Sequence, residues 1–131
     1  MELKTKTRYA ILAILDIALQ QSQRPVTLLD IARRQGISQS YLEQIFVKLR
    51  EKDLVKSVRG PGGGYKINAS LDSVTVDQIV RAMSDHVEEI DKMIDFQPAQ
   101  IKMQSLWNEL NHVMHEFCEK VTLAQLAEAN V

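Results

Sequence analysis

Three groups of residues in this chain have types and spacings that could do chemistry. The first lies between Ser38 and Lys48. Tyr41, Leu42, Ile45, Phe46 and Leu49 follow helical spacing, and Ser38, Gln39, Ser40, Gln44 and Lys48 are left on the opposite face. Hydroxyls, amides and an ammonium near the N-terminal end of a helix suit hydrogen bonds to base edges and phosphate oxygens. The second group is VRGPGGGYKI, residues 58–67, which holds four of the chain's five glycines. Arg59 enters this loop and Lys66 leaves it. Gly60, Pro61, Gly62 and Gly63 allow unusual backbone geometry and remove side chains that would hold the main chain off a phosphate backbone. A compact tip with one arginine suits the negative potential of a narrow minor groove. A nucleotide-phosphate loop fits less well, because no Gly-Lys-Ser/Thr ending is present and no helix begins after the glycines. A plain hairpin turn stays open.

The third group is His112, His115, Glu116 and Glu119, with Cys118 among them. Residues three and four apart share a helix face, so a metal site is conceivable. Solvent-facing polar residues explain the set equally well, and no metal ligand is assigned. The acidic stretch with His86, Glu88, Glu89 and Asp91 reads as solvated. Cys118 is the only cysteine, which excludes an internal disulfide and suits a reducing cytoplasm. Only Lys120 nearby could lower its pKa, so it reads as an inert, partly buried thiol. No Ser/His/Asp or Cys/His set suggests an enzyme.

The charge distribution singles out the same region. The net charge is −1, but residues 33–66 carry eight basic side chains against three acidic ones, a net of +5. The eight are Arg33, Arg34, Lys48, Arg50, Lys52, Lys56, Arg59 and Lys66. Residues 67–131 carry four basic against eleven acidic, a net of −7. Such polarisation points to a polyanion partner, with chance clustering as the alternative. The 131 residues, 45% hydrophobic and 25% charged, suit a globular domain. The longest apolar run, YAILAILDIAL, is broken by Asp16, so a membrane span is not expected. MELKTKTRYA has no signal-peptide character.

These residues need elements to position them. Helices are expected over 7–21, 28–35, 39–52 and TVDQIVRAMS, then over 100–119 and TLAQLAEA. Two short strands, 54–59 and 64–67, flank the glycines. Residues 85–99 read as irregular, with Pro98 as a breaker. Ala32, Gly36 and Leu42 have the spacing of a helix-turn-helix: a small residue for close approach, a glycine to end the first helix, and an aliphatic packed into the angle. A plain helical hairpin fits the same three points. The fold class is mainly α with a small β-hairpin wing: a winged helix-turn-helix followed by a long helix.

That long helix carries an a/d seam of Met103, Leu106, Leu110, Val113 and Phe117. Trp107, Met114 and Val121 add a second stripe at intervals of seven. So wide an apolar face needs a partner, and the seam points to a second copy across a two-fold axis.

RYAILAILDIAL, DIARRQGISQSYLEQIFVKLREKDLVKSVRGPGGGYKI and the later LW and VTLAQL resemble the IscR-type bacterial regulators of the Rrf-two family of dimeric winged-helix proteins. The resemblance spans about the whole chain and is closest over residues 7–67. It implies a homodimer on a partly palindromic operator, with the third helix in the major groove and the wing in the minor groove of double-stranded DNA. It gives DNA-contact roles to Ser38, Ser40, Tyr41, Gln44, Arg59 and Gly60, and makes Glu43 a position that tunes the operator class. It divides the chain into a DNA-binding domain at 1–84, a linker loop at 85–99 and a dimerisation segment at 100–131.

The chain departs from the family at one place. Cluster-bearing members hold a [2Fe–2S] cluster on three cysteines and a further ligand before the long helix. Here DHVEEIDKMIDFQPAQIKMQSLW contains no cysteine, and Gln104 stands where the resemblance puts a ligand histidine. The expected cofactor is therefore none. The expectation is a cytoplasmic, non-enzymatic transcription regulator, of the repressor kind. Two alternatives stay open: a winged-helix protein-interaction module, and a sensor with an atypical ligand set including Cys118.

Overall fold

Ala10, Ala13 and Ile14 lie fully buried along α1 (Thr5–Leu19), the central helix of the structure. The structure is a computed structural model and describes residues 4–20, 24–84 and 97–128. α1 is apolar on nearly every face because α2 (Leu28–Gln35), α3 (Gln39–Glu51), α4 (Val76–Met83) and α6 (Leu123–Glu128) all pack against it. Ile31 of α2, Leu42, Ile45, Phe46 and Leu49 of α3, Ile79 of α4 and Leu123 of α6 complete one core. Burying a side chain of this size stabilises by roughly 1.5–3 kcal/mol.

The helix ends are set locally. Thr27 caps α2 by accepting from the Asp30 N–H at 3.0 Å. Gly36 ends α2 in the left-handed conformation, φ 68°, and its N–H donates to Ala32 O. Ser38 then caps α3, accepting from the Tyr41 N–H at 3.2 Å. Thr75 and Gln78 form a capping box on α4.

β1 (Val55–Val58) and β2 (Gly64–Ile67) are antiparallel, pairing Val55 with Ile67, Lys56 with Lys66, Ser57 with Tyr65 and Val58 with Gly64. Val26 extends this sheet from the far side of β2, donating to Tyr65 O at 2.9 Å and accepting from Tyr65 N at 2.7 Å.

α5 (Pro98–Glu119) corrects one reading of the sequence. Pro98 does not break structure here but opens the helix, and Gln97 and Gln100 form a capping box around it. Proline suits the first helical turn, where its missing N–H has no intrahelical partner in any case. The rest of the expected irregular stretch, residues 85–96, lies outside the described residues. After α5 the chain returns to the body. Val76 donates to Val121 O at 2.8 Å and Leu123 to Val74 O at 2.9 Å, beside a bridge between Thr75 and Thr122.

Candidate nucleic-acid interface

The helix-turn-helix is held by an ion pair that sequence spacing does not reveal. Asp16 of α1 is buried, and Arg34 of α2 grips both its oxygens, Nε to Oδ2 at 3.0 Å and Nη2 to Oδ1 at 2.8 Å. Gln35 Nε2 adds a third hydrogen bond at 2.7 Å. Burial alone would raise the Asp16 pKa, but these bonds and the guanidinium charge outweigh it and hold the carboxyl below its ordinary value. The consequence is twofold. α2 is fixed against α1 at its C-terminal turn, so the angle into α3 is fixed too. Arg34 is also one of the eight cations of residues 33–66, and its guanidinium, though part-exposed, is already paired with Asp16.

α3 then presents two opposite faces. Leu42, Ile45, Phe46 and Leu49 are fully buried. Ser38, Gln39, Ser40, Glu43 and Gln44 are exposed, and Lys48 is half-buried. Tyr41 is half-buried, its ring edge-on to Tyr9 of α1 with centroids 5.7 Å apart. That packing sets the direction in which the first turn of α3 points.

The wing is built from the glycines in two ways. Gly60 O accepts from Gly63 N at 2.9 Å, closing a turn with Pro61 second and Gly62 third. Gly62 has φ 75°, the positive value that the third position of a type II turn demands. Gly63 and Gly64 serve close approach, and Gly64 also has a positive φ of 151°. A Cβ on Gly63 would meet Val58 O at 2.3 Å, and one on Gly64 would meet Val26 O at 2.6 Å. Arg59, Gly60, Pro61 and Gly62 are exposed and Gly63 is half-buried. Tyr65 turns inward onto Phe46, ring centroids 4.7 Å apart, and so ties the wing to α3.

A second buried carboxylate joins α4 to α5. Asp77 accepts from Arg81 Nε at 2.6 Å and from Nδ1 of His115. Burial would raise its pKa, but hydrogen bonds from His115 and Arg81 outweigh it and hold the carboxyl below its ordinary value. His115 is therefore not one of a solvent-facing set, as its sequence neighbours suggest; His112 and Glu116 do form an exposed pair, at 3.3 Å. Among the described residues no group of three or more His, Cys, Asp or Glu could hold a metal ion.

Along α5, Met103, Leu106, Trp107, Leu110, Val113 and Phe117 are all exposed, from 43% at Leu110 to 68% at Phe117. Ile101, which the heptad spacing does not include, is exposed as well. Met114 and Val121 are half-buried. Cys118 is the one buried residue of the helix.

A helix-turn-helix with an exposed polar recognition face, followed by a two-stranded wing, defines a winged-helix transcription regulator. The family model for Rrf2, described as "Iron-dependent Transcriptional regulator", matches residues 3–129, and the chain belongs to that family. It is 41% identical over 140 residues to the HTH-type transcriptional regulator IscR of Vibrio campbellii, covering 99% of this chain and 79% of that one. The structure of T. potens IscR is similar, with TM-score 0.78 and 31% identity over 100% of this chain and 93% of that one. So is the structure of CymR, the global cysteine regulator of B. subtilis, with TM-score 0.80 and 30% identity over 100% of this chain and 99% of that one. The protein is a DNA-binding transcription regulator. Among the described residues no helix is long and apolar enough to cross a membrane.

The donor set does not fit an iron–sulphur cluster. Such clusters are held by thiolates, commonly four. The sequence has one cysteine. That thiol is buried, and burial together with the negative charge of Asp77 pushes its pKa up, away from the thiolate a cluster needs.

Proposed function

We propose that the protein is a dimeric, cytoplasmic repressor that binds a partly palindromic operator without an iron–sulphur cluster. The observation that carries this reading is the pairing of the exposed face Ser38–Gln44 with the wing tip at Arg59, both braced on one core through Phe46 and Tyr65. α3 enters the major groove, where Ser40 and Gln44 meet base edges, Ser38 and Lys48 meet phosphates, and Glu43 discriminates among bases. Gly60 to Gly63 bring the main chain close to the backbone while Arg59 enters the minor groove. The exposed apolar stripe of α5 is the supporting evidence for a dimer: a monomer rarely leaves so continuous a patch in water. The two copies would then present two α3 helices to two half-sites.

The test is a binding titration against salt. The wild type should bind duplex with a steep salt dependence, and Arg59→Ala should lower the slope by ~1. Ser40→Ala and Gln44→Ala should each cost about 1–3 kcal/mol on a selected operator and almost nothing on random duplex. A wild type that ignores duplex and captures a protein would make the fold an interaction module and end this reading.

A further inference from the structure

We infer that Lys56 and Lys66 form a phosphate-binding pair on the outer face of the wing, gripping neighbouring phosphates of one DNA strand beside the groove that the tip enters. The inference rests on the DNA-binding reading above and extends it to two residues outside the recognition helix and the wing tip. The register fixes their positions. Lys56 of β1 lies directly opposite Lys66 of β2. Alternation then separates two faces of the hairpin. Val55 is buried and Tyr65 packs on Phe46, so the face shared by Val55, Tyr65 and Ile67 is turned to the body, with Ser57 at its exposed end. Lys56, exposed, and Lys66, half-buried, share the opposite face.

Directly opposed residues have Cβ atoms about 5 Å apart, and like charges there are destabilising. Neither lysine makes an ion pair with a described residue. Among the described residues no acidic side chain offsets that repulsion. Lysine on a sheet edge often guards against pairing with another chain. That accounts for Lys56, because β1 is an edge strand. It accounts less well for Lys66, because an isolated bridge to Val26 already covers the free side of β2 at the neighbouring Tyr65.

Anions beside the two ammonium groups offset that repulsion. Duplex DNA supplies a row of them, about one phosphate per 3.4 Å of axis on each strand. Arg59, one residue beyond β1, adds a third exposed cation at the wing tip. The pair would position the protein on the backbone without reading sequence.

The experiment is fluorescence-anisotropy titration, from 50 to 300 mM salt, of a mixed-sequence duplex of three helical turns, roughly 30 base pairs. Wild type, Arg59→Ala, Lys56→Gln/Lys66→Gln and Lys56→Arg/Lys66→Arg are compared. The glutamine pair should lower the salt slope by about 2, at ~0.9 per phosphate, and weaken binding on the order of tenfold at 0.1 M salt. Its melting temperature without DNA should equal or exceed that of the wild type, because the repulsion is gone. The arginine pair should keep the wild-type slope. An unchanged slope in the glutamine pair, with wild type and Arg59→Ala behaving as expected, overturns the inference and leaves the DNA reading intact. So does an arginine pair that loses the slope. A wild type with no salt-dependent binding overturns both.

Discussion

The Tyr65 ring lies against the Phe46 ring, centroids 4.7 Å apart and planes inclined at 58°. One residue belongs to the wing and the other to the buried face of α3, so the contact ties the wing to α3. Tyr65→Ala should cost about 2 kcal/mol, from lost apolar burial and the aromatic pair. It should also release the wing, and the salt slope should then fall as it does for Arg59→Ala. Tyr65→Phe keeps the ring and should leave both quantities near wild type. Urea unfolding and a duplex titration on the same samples decide this. An alanine variant that loses stability but keeps its slope would uncouple the wing from α3.

Acid should unfold the protein through two identifiable carboxylates. Asp16 and Asp77 are buried, and hydrogen bonds from Arg34 and Gln35, and from His115 and Arg81, hold both pKa values below the ordinary 3.8 despite burial. A depressed folded pKa contributes stability that is fully present above the unfolded value. That stability is lost as the pH falls through the folded values, so the window lies below about pH 4. Asp77→Asn should flatten the fall in urea midpoint between pH 4 and pH 2 relative to wild type. A variant as acid-sensitive as the parent would show that the Asp77 pairing carries no folding energy.

The four wing glycines should not be equivalent. Gly60 and Gly62 have positive φ, 93° and 75°, but open space where a methyl would stand. Alanine there should cost about 1 kcal/mol of backbone strain. Gly63 and Gly64 face backbone oxygens that cannot step aside. Alanine there should cost about 2–3 kcal/mol and displace the hairpin. Thermal melts of the four single variants would rank them, and a ranking with Gly60→Ala worst would contradict the close-approach account.

Cys118 should behave as a packed side chain. Its thiol is buried and its pKa is raised, so a disulfide reagent should label it slowly until the protein unfolds. Protein made anaerobically with iron and sulfide should stay colourless, and its DNA binding should ignore oxygen and iron chelators. A visible absorption band with stoichiometric iron and sulfide, lost on Cys118→Ser, would restore a cluster shared between copies.

What can be read from the sequence is what local rules decide. α2 begins and ends at 28 and 35 as its cap and glycine dictate, and α3 ends within one residue of its expected limit. β2 matches at both ends, and β1 is one residue shorter at each end than the apolar pattern suggests. α1 sits two residues earlier than expected, over 5–19, because apolar periodicity does not mark where an uncapped helix starts. The pairs that fix the helices against each other are not legible. Arg34 and Asp16 are 18 residues apart, and His115 and Asp77 are 38 apart. Neither pair belongs to a repeating pattern. Asp16 looks like an interruption in an apolar run, and His115 looks like one of several polar residues on a long helix. Only packing brings each to its partner.

The stitch between Val26 and Tyr65 has a consequence for how such a chain can change length over generations. β2 is held on one side by β1 and on the other by Val26, with Gly64 pressed against the Val26 carbonyl. One residue inserted within β2 would turn Tyr65 outward, drive Lys66 toward Phe46 and put a side chain where only glycine clears. Insertions and deletions can therefore accumulate only at the tip, between Arg59 and Gly63, ahead of the stitched strand. Descendants of this sequence are free to lengthen or shorten the tip, while the register that anchors it is inherited unchanged.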